Sequence, residues 1–140
     1  MTLYLLDSDT VSLLRSRHPR VKARYDAVTP PDEVCTSAIT VQEAFVGWHT
    51  YILKAKTPAK IEKGYAELNR AVRAFTGIRL LDFSQSAIAR FGQIVALKLN
   101  VGKNDLRIAA IALEAGATVV TRNLRDFQRV PGLTCEDWAV

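Results

Sequence analysis

The chain has 140 residues, with 19 Lys+Arg against 14 Asp+Glu and a formal net charge of +5. This length predicts one domain over residues 1–140, large enough to bury roughly 68–70% of its unfolded surface without disulfides or metals as staples. Apolar content of 49% and charged content of 24% fit a soluble globular protein and exclude a disordered or fibrous one. No apolar run reaches the length of a membrane span, and the N-terminus lacks a basic start followed by an apolar stretch and a small-residue cleavage site. A cytoplasmic protein is the expectation. Cys35 and Cys135 stand far apart with no CxxC or Cys/His cluster, which argues against zinc and for two ordinary thiols.

In chain order, Leu3-Tyr4-Leu5-Leu6 suits a strand buried on both faces, and it ends abruptly at Asp7 and Asp9. An acid just past such a strand lies at its carboxyl end, where open α/β sheets bind ligands. Thr10 is the expected N-cap of a short helix with Val11, Leu13 and Leu14 as its apolar side, closed by His18-Pro19. Residues 20–32 are polar, contain Pro30-Pro31 and read in part as loop. Val34–Ser37 reads as a second, short strand. Thr40 opens a helix whose apolar positions Val41, Ala44, Phe45, Trp48 and Ile52 have helical spacing. Glu43 falls off that stripe. Thr40-Val41-Gln42-Glu43 has the form of a capping box, so Glu43 reads either as a cap or as a site acid, and both place it at a helix N-terminus.

Pro58 or Ala59 starts the next helix, with a narrow stripe of Ile61, Tyr65, Leu68, Val72 and Phe75 suited to packing on one other helix as a hairpin, and Gly77 ends it. Ile78–Phe83 is a third strand with Asp82 inside it, and Ser84 caps a helix running to about Leu99. Asn104 or Asp105 begins a helix apolar on most sides, expected to be buried and stopped by Gly116. Ala117–Thr121 is a fourth strand, Arg122–Phe127 a loop or helical turn, and Val130–Leu133 turns the chain into a final short segment. Strands alternating with helices predict α/β architecture with a mostly parallel sheet.

Asp7, Glu43, Asp105 and Asp126 each have a dull local reading as a cap or a loop residue. Jointly they are harder to dismiss, because Asp7, the Ser37–Glu43 segment and Asp126 all follow carboxyl ends of strands. Two carboxylates about 5 Å apart repel by roughly 3 kcal/mol at an effective dielectric of 20. A cation would relieve this, and hard oxygen ligands favour Mg²⁺ or Mn²⁺, which polarises a phosphate, acidifies a water and stabilises a leaving oxygen. His18 and His49 are isolated and read as surface residues. Two basic blocks, Arg15 to Arg24 and Lys54 to Arg79, each read alone as a solvated helix face, but beside an acidic centre they suit a polyanion. Phe45, Trp48 and Tyr51 on one helix read either as core or as a surface for a partner helix or second protomer. Two other classes remain open. Asp7-Ser8-Asp9-Thr10-Val11 also looks like the first motif of haloacid-dehalogenase-type phosphatases, with Asp7 as nucleophile, and the βα alternation fits a receiver-like signalling module.

Five segments in order carry a resemblance: LYLLDSDTVSLL, Ser37-Ala38-Ile39-Thr40-Val41-Gln42-Glu43, Asn104-Asp105-Leu106-Arg107-Ile108-Ala109-Ala110, VVTRNLRDFQRVPGL and Glu136-Asp137-Trp138. From Leu3 to Trp138 the chain resembles PIN-domain ribonucleases, and most of all the VapC toxins of type II toxin–antitoxin pairs. The resemblance implies a PIN-like α/β/α sandwich with a mostly parallel central sheet of four or five strands. Asp7, Glu43 and Asp105 match the family's metal-holding acids, and Asp126 matches the less uniform fourth. Thr121 and Asn123 fall where polar residues support the site, and Ser8 and Asp9 follow the first acid. Also implied are Mg²⁺- or Mn²⁺-dependent endonucleolytic cleavage of RNA, a homodimer and a small VapB-like antitoxin seated near the active site. Arg15, Arg17, Arg20, Lys54 and Lys56 become the expected RNA contacts.

Overall fold

The computed structural model describes residues 1–140. In chain order its elements are β1 (Leu3–Leu6), α1 (Ser8–Arg15), α2 (Pro19–Ala27), β2 (Glu33–Ser37), α3 (Ala38–Lys54), α4 (Pro58–Thr76), β3 (Arg79–Leu81), α5 (Gln85–Val95), α6 (Lys103–Ala115), β4 (Thr118–Val120), α7 (Leu124–Phe127) and β5 (Thr134–Glu136). The strands form one sheet in the order β3-β2-β1-β4-β5, and every pairing is parallel. The final segment is therefore a fifth strand, in register with β4 from Thr118↔Thr134 to Val120↔Glu136.

The most apolar strand takes the middle of the sheet, and its alternation sends side chains to two separate cores. Leu3 and Leu5 join Cys35 and Val119 against Ile108–Ala112 of α6. Leu6 and Val120 face the other way, against Val11, Val21, Phe75 and Trp138. Both faces of the sheet are covered, giving the α/β/α layering that an all-parallel sheet requires. The buried run Ile108–Ala112 explains why α6 is apolar almost all round. The α3–α4 hairpin forms as expected, and at Gly64 the helices approach so closely that a Cβ there would lie 2.6 Å from Ile52 Cγ1. Gly116 closes α6 in the left-handed conformation, φ 65°.

The strand-to-helix connections are tighter than the sequence suggested, and this shifts the caps. Helix α1 begins directly after Asp7, whose Oδ1 accepts the Thr10 backbone N–H at 2.9 Å. Asp7 is the cap, not Thr10; the buried Thr10 hydroxyl donates instead to the Val120 carbonyl at 3.0 Å. Ser37 ends β2 and caps α3, its Oγ accepting the Thr40 N–H at 3.3 Å. Thr40 therefore lies inside the helix, and the capping box to Glu43 does not form. With no loop residues, the last strand residue is the first side chain able to reach the free N–H groups.

Residues 19–27 are helix rather than loop: Pro19 occupies the first turn, where its missing N–H costs nothing, and His18 Nδ1 accepts from Val21 N–H at 3.4 Å. Helix α5 stops at Val95, short of Leu99, and α6 is capped by Gly102, so Asp105 sits within its first turn and is not the cap. Asp82 follows β3 at the sheet edge instead of lying inside the strand. No helix is long and apolar enough to cross a membrane.

Candidate active site

Asp7 stands at the carboxyl end of the central strand and is only 5% exposed. Burial pushes its carboxyl pKa up, and the Thr121 hydroxyl and Thr10 backbone N–H draw it partly back. On the next strand over, β2 leads straight into α3, whose second turn carries Glu43. The Ser8 hydroxyl donates to Glu43 Oε1 at 2.6 Å and also lies 3.4 Å from Thr40 Oγ1. Ser8 thus ties the start of α1 to α3. Thr40 belongs to this set, although the sequence marked it only as a helix opener.

On the other side of β1, strand β4 delivers Thr121, Asn123 and Asp126. Asn123 N–H donates to Thr121 Oγ1 at 2.8 Å, which fixes the turn. The Asn123 side-chain amide then donates to Asp105 Oδ2 at 3.2 Å and to Asp126 Oδ2 at 3.0 Å. One neutral amide holds two carboxylates, one from α6 and one from α7. The Asp105 carboxyl is pushed up to about 6: burial raises it most, Asn123 lowers it, and the charges of Asp7, Glu43 and Asp126 raise it further. All four acids therefore share one electrostatic field. No three His, Cys, Asp or Glu side chains stand close enough to make a closed metal cage. The two observations are compatible, since charges couple over longer distances than those at which ligands bind.

The chemistry of this donor set fits a hard divalent cation. All the donors are oxygens, and the only ion pair to any of the four acids is Arg129 on Asp126, at 3.5 Å. An open arrangement suits an ion such as Mg²⁺, which keeps several of its waters and takes only one or two carboxylates directly. Asp9 is exposed, lines a recess with Ser8 and Glu43, and its charge helps raise Asp7.

The other expected contacts divide. Arg15 is half-buried and paired with Glu67 at 3.3 Å, and it helps line a recess of about 120 Å³ together with Ser8 and Glu43. Arg17 and Arg20 are exposed around the start of α2, and Lys54 and Lys56 are exposed at the tip of the α3–α4 hairpin. Within the same basic block, Lys22 pairs with Asp26 and Arg24 with Glu136. Phe45 packs on Phe75 with ring centroids 6.3 Å apart, and Trp48 also packs partly against the second core while making a T-shaped contact with Tyr51 at 5.6 Å. The alternative readings lose ground. Asp7 is buried and engaged as a helix cap, which is poor for a nucleophile. Asp82 stands at the edge strand, with β2 between β3 and β1, too far out for the acceptor of a receiver module.

A family profile for the PIN domain matches residues 4–133. Across 99% of this chain and 99% of its own length, the tRNA(fMet)-specific endonuclease VapC of Salmonella typhimurium is 29% identical. Ribonuclease VapC2 of Haemophilus influenzae is 32% identical, again over 99% of both chains. Among solved structures, DNA-bound VapBC from Salmonella typhimurium matches with a TM-score of 0.76 and 31% identity over 99% of each chain. VapBC-1 from nontypeable Haemophilus influenzae, at 23% identity, shares the fold with a TM-score of 0.81, over 99% of this chain and 100% of that one.

Proposed function

The chain belongs to the PIN-domain family, and we propose that it is a metal-dependent endoribonuclease, the toxin of a toxin–antitoxin pair, working through Asp7, Glu43, Asp105 and Asp126. The observation that carries this reading is the Asn123 amide bridging Asp105 and Asp126 inside a field that Asp7 and Glu43 share. Such a field, left without a neutralising lysine or arginine on its three most central acids, favours a cation from outside.

Asp7 and Asp105, the two acids whose carboxyls burial raises, are assigned as the principal holders of Mg²⁺ or Mn²⁺, with Glu43 and Asp126 completing the set directly or through waters. When bound, the ion would polarise the phosphate, acidify a water and offset charge on the leaving oxygen. The chain's own residues do the positioning. Asn123 sets the angle between Asp105 and Asp126, with Thr121 holding its loop. Ser8 takes one Glu43 oxygen, leaving Oε2 to accept the proton of the attacking water. Arg15, Arg17, Arg20, Lys54 and Lys56 are assigned to the RNA backbone, supported by the exposure of the last four. The VapBC neighbours support a small antitoxin as partner, and a homodimer completes the assembly we propose.

The names of the relatives make tRNA the first substrate to try. Purified protein is incubated with labelled tRNA and total-RNA pools in Mg²⁺ or Mn²⁺, with EDTA, and with Asp105→Asn in parallel. Discrete fragments that vanish in both controls are the expected result. Cleavage that survives both would overturn the assignment.

A further inference from the structure

We propose that the cleft between α1, α3 and α4 is a nucleotide subsite beside the acid set, in which Trp48 stacks on a base while Arg15 and Arg70 hold a phosphate of the same RNA strand. The inference rests on the endoribonuclease reading and adds a substrate site to it. The cleft has a volume of about 560 Å³ and is lined by Ser12, Arg15, Trp48, Glu67 and Arg70 among others. That is within the range of small-ligand sites. It meets the recess holding Ser8 and Glu43, because Ser12 and Arg15 line both.

The continuity follows from the sequence of α1. Ser8, Ser12 and Arg15 are spaced 4 and 3, so they share one helix face, and Ser16 lies beside them. Arg15 stands roughly 10 Å along the axis from Ser8, a short step along a strand whose cleaved phosphate lies at the acids. The opposite walls come from the hairpin. Trp48, half-buried against the second core, meets Tyr51 in a T-shaped contact with an interplanar angle of 71° and forms part of the cleft wall. Glu67 takes Arg15 at 3.3 Å and Arg70 at 2.9 Å, drawing guanidinium groups from α1 and α4 towards each other. Two guanidinium groups against one carboxylate leave a net positive cleft, and guanidinium is the side chain best matched to phosphate. A basic groove with one aromatic platform is the pattern of single-stranded nucleic-acid sites.

The test measures binding of a fluorescein-labelled, mixed-sequence single-stranded RNA 12-mer across a salt series, in an Asp7→Asn background that leaves the RNA uncut. Trp48→Leu keeps apolar packing but removes the π face; it weakens binding by about 5- to 150-fold and leaves the salt dependence unchanged. Arg70, whose side chain is 67% exposed, can be removed without disturbing the fold. Arg70→Ala lowers the slope of log affinity against log salt by about 0.7, the loss of one phosphate contact on a single strand. Glu67→Gln keeps the shape, removes the competing charge and tightens binding. A purely structural ion pair would lower the melting temperature in Arg70→Ala and Glu67→Gln and move neither the slope nor the affinity, and that result overturns the proposal. Unchanged RNA binding in all three variants with unchanged melting would overturn it too, and would leave the cleft to a protein partner. Wild-type protein that neither binds nor cleaves RNA would bring down the endoribonuclease reading and the subsite together; wild-type cleavage with the three variants unaltered removes the subsite alone.

Discussion

Four acids at the rim of this molecule are paired with cations, and three at the centre of its sheet, Asp7, Glu43 and Asp105, are not. Glu33 meets Arg79 and Glu114 meets Arg90, each at 2.7 Å, while Glu136 meets Arg24 and Asp137 meets Arg122, each at 3.0 Å. Asp7, Glu43 and Asp105 take their hydrogen bonds from a backbone N–H, a serine hydroxyl and an asparagine amide. A chain with 19 Lys+Arg has cations to spare, so the difference is one of placement. Neutral donors orient a carboxylate without cancelling its charge. The central acids are thereby held in position while their field stays available to a cation from solution. Rim pairs of this exposed kind contribute about 0–1 kcal/mol each, so they are matters of surface fit.

Neutralising a central acid should have the largest effect. Asp7→Asn or Asp105→Asn should cut kcat/KM for RNA cleavage by about 10³-fold or more, the scale of several kcal/mol that a bound cation supplies, while circular dichroism shows a folded protein. Glu33→Gln at the rim should stay within about 2-fold in the same assay, since its pair with Arg79 is exposed. Next in size is Asn123→Ala. It removes the amide that sets both Asp105 and Asp126, and should cost about 10- to 100-fold in metal affinity or activity, readable by titrating Mn²⁺ against initial rate. Ser8→Ala frees only one Glu43 oxygen and should stand at the low end, about 10-fold.

The smallest effect concerns stability, and its sign separates a central acid from a rim one. The Asp105 carboxyl rises from 3.8 to about 6 on folding, so the native state holds the proton more tightly than the unfolded chain. Its stabilising contribution is full below pH 3.8 and is lost as pH rises through about 6. Asp105→Asn escapes that loss. Without divalent metal it should melt higher than wild type at pH 8, by an amount on the order of 1–2 kcal/mol after allowing for partial exposure, and about equally at pH 4. A rim acid replaced in the same way should show no such gain. Adding Mg²⁺ should raise the wild-type melting temperature more than that of the variant, because binding to the native state alone is stabilising.

The central strand, the buried α6 and the α3–α4 hairpin were legible in the sequence, because each is written in local pattern, an apolar run or a helical stripe; the four candidate acids stood out only jointly and through the family pattern. The caps were not. Thr10 and Thr40 looked like helix openers because hydroxyl residues before an apolar stripe usually are; the absence of any loop after Leu6 and Ser37 moved the caps to Asp7 and Ser37. Helix α2 was hidden by its polarity, since only Val21 of its residues is buried. Two ties that complete the site, Ser8 to Glu43 and Asn123 to Asp105, span 35 and 18 residues and leave no local signal; only the bond from Asn123 to Asp126 is local. Supporting polar residues could be named through the family pattern, but their partners required the fold. The same holds for the basic stretch Arg15 to Arg24, whose carboxylates at Glu67 and Glu136 come from distant segments.

The most direct test of the acid centre is calorimetric titration of Mn²⁺ into metal-free wild-type protein, Asp7→Asn and Asp105→Asn at pH 5.5 and pH 7.5. Wild type should bind saturably, more strongly at the higher pH and with proton release at the lower, because Asp105 must shed its proton near pH 6 for the ion to bind. Both variants should lose that binding. Equal binding by all three proteins, or none by wild type under conditions where it cleaves RNA, would contradict the metal assignment.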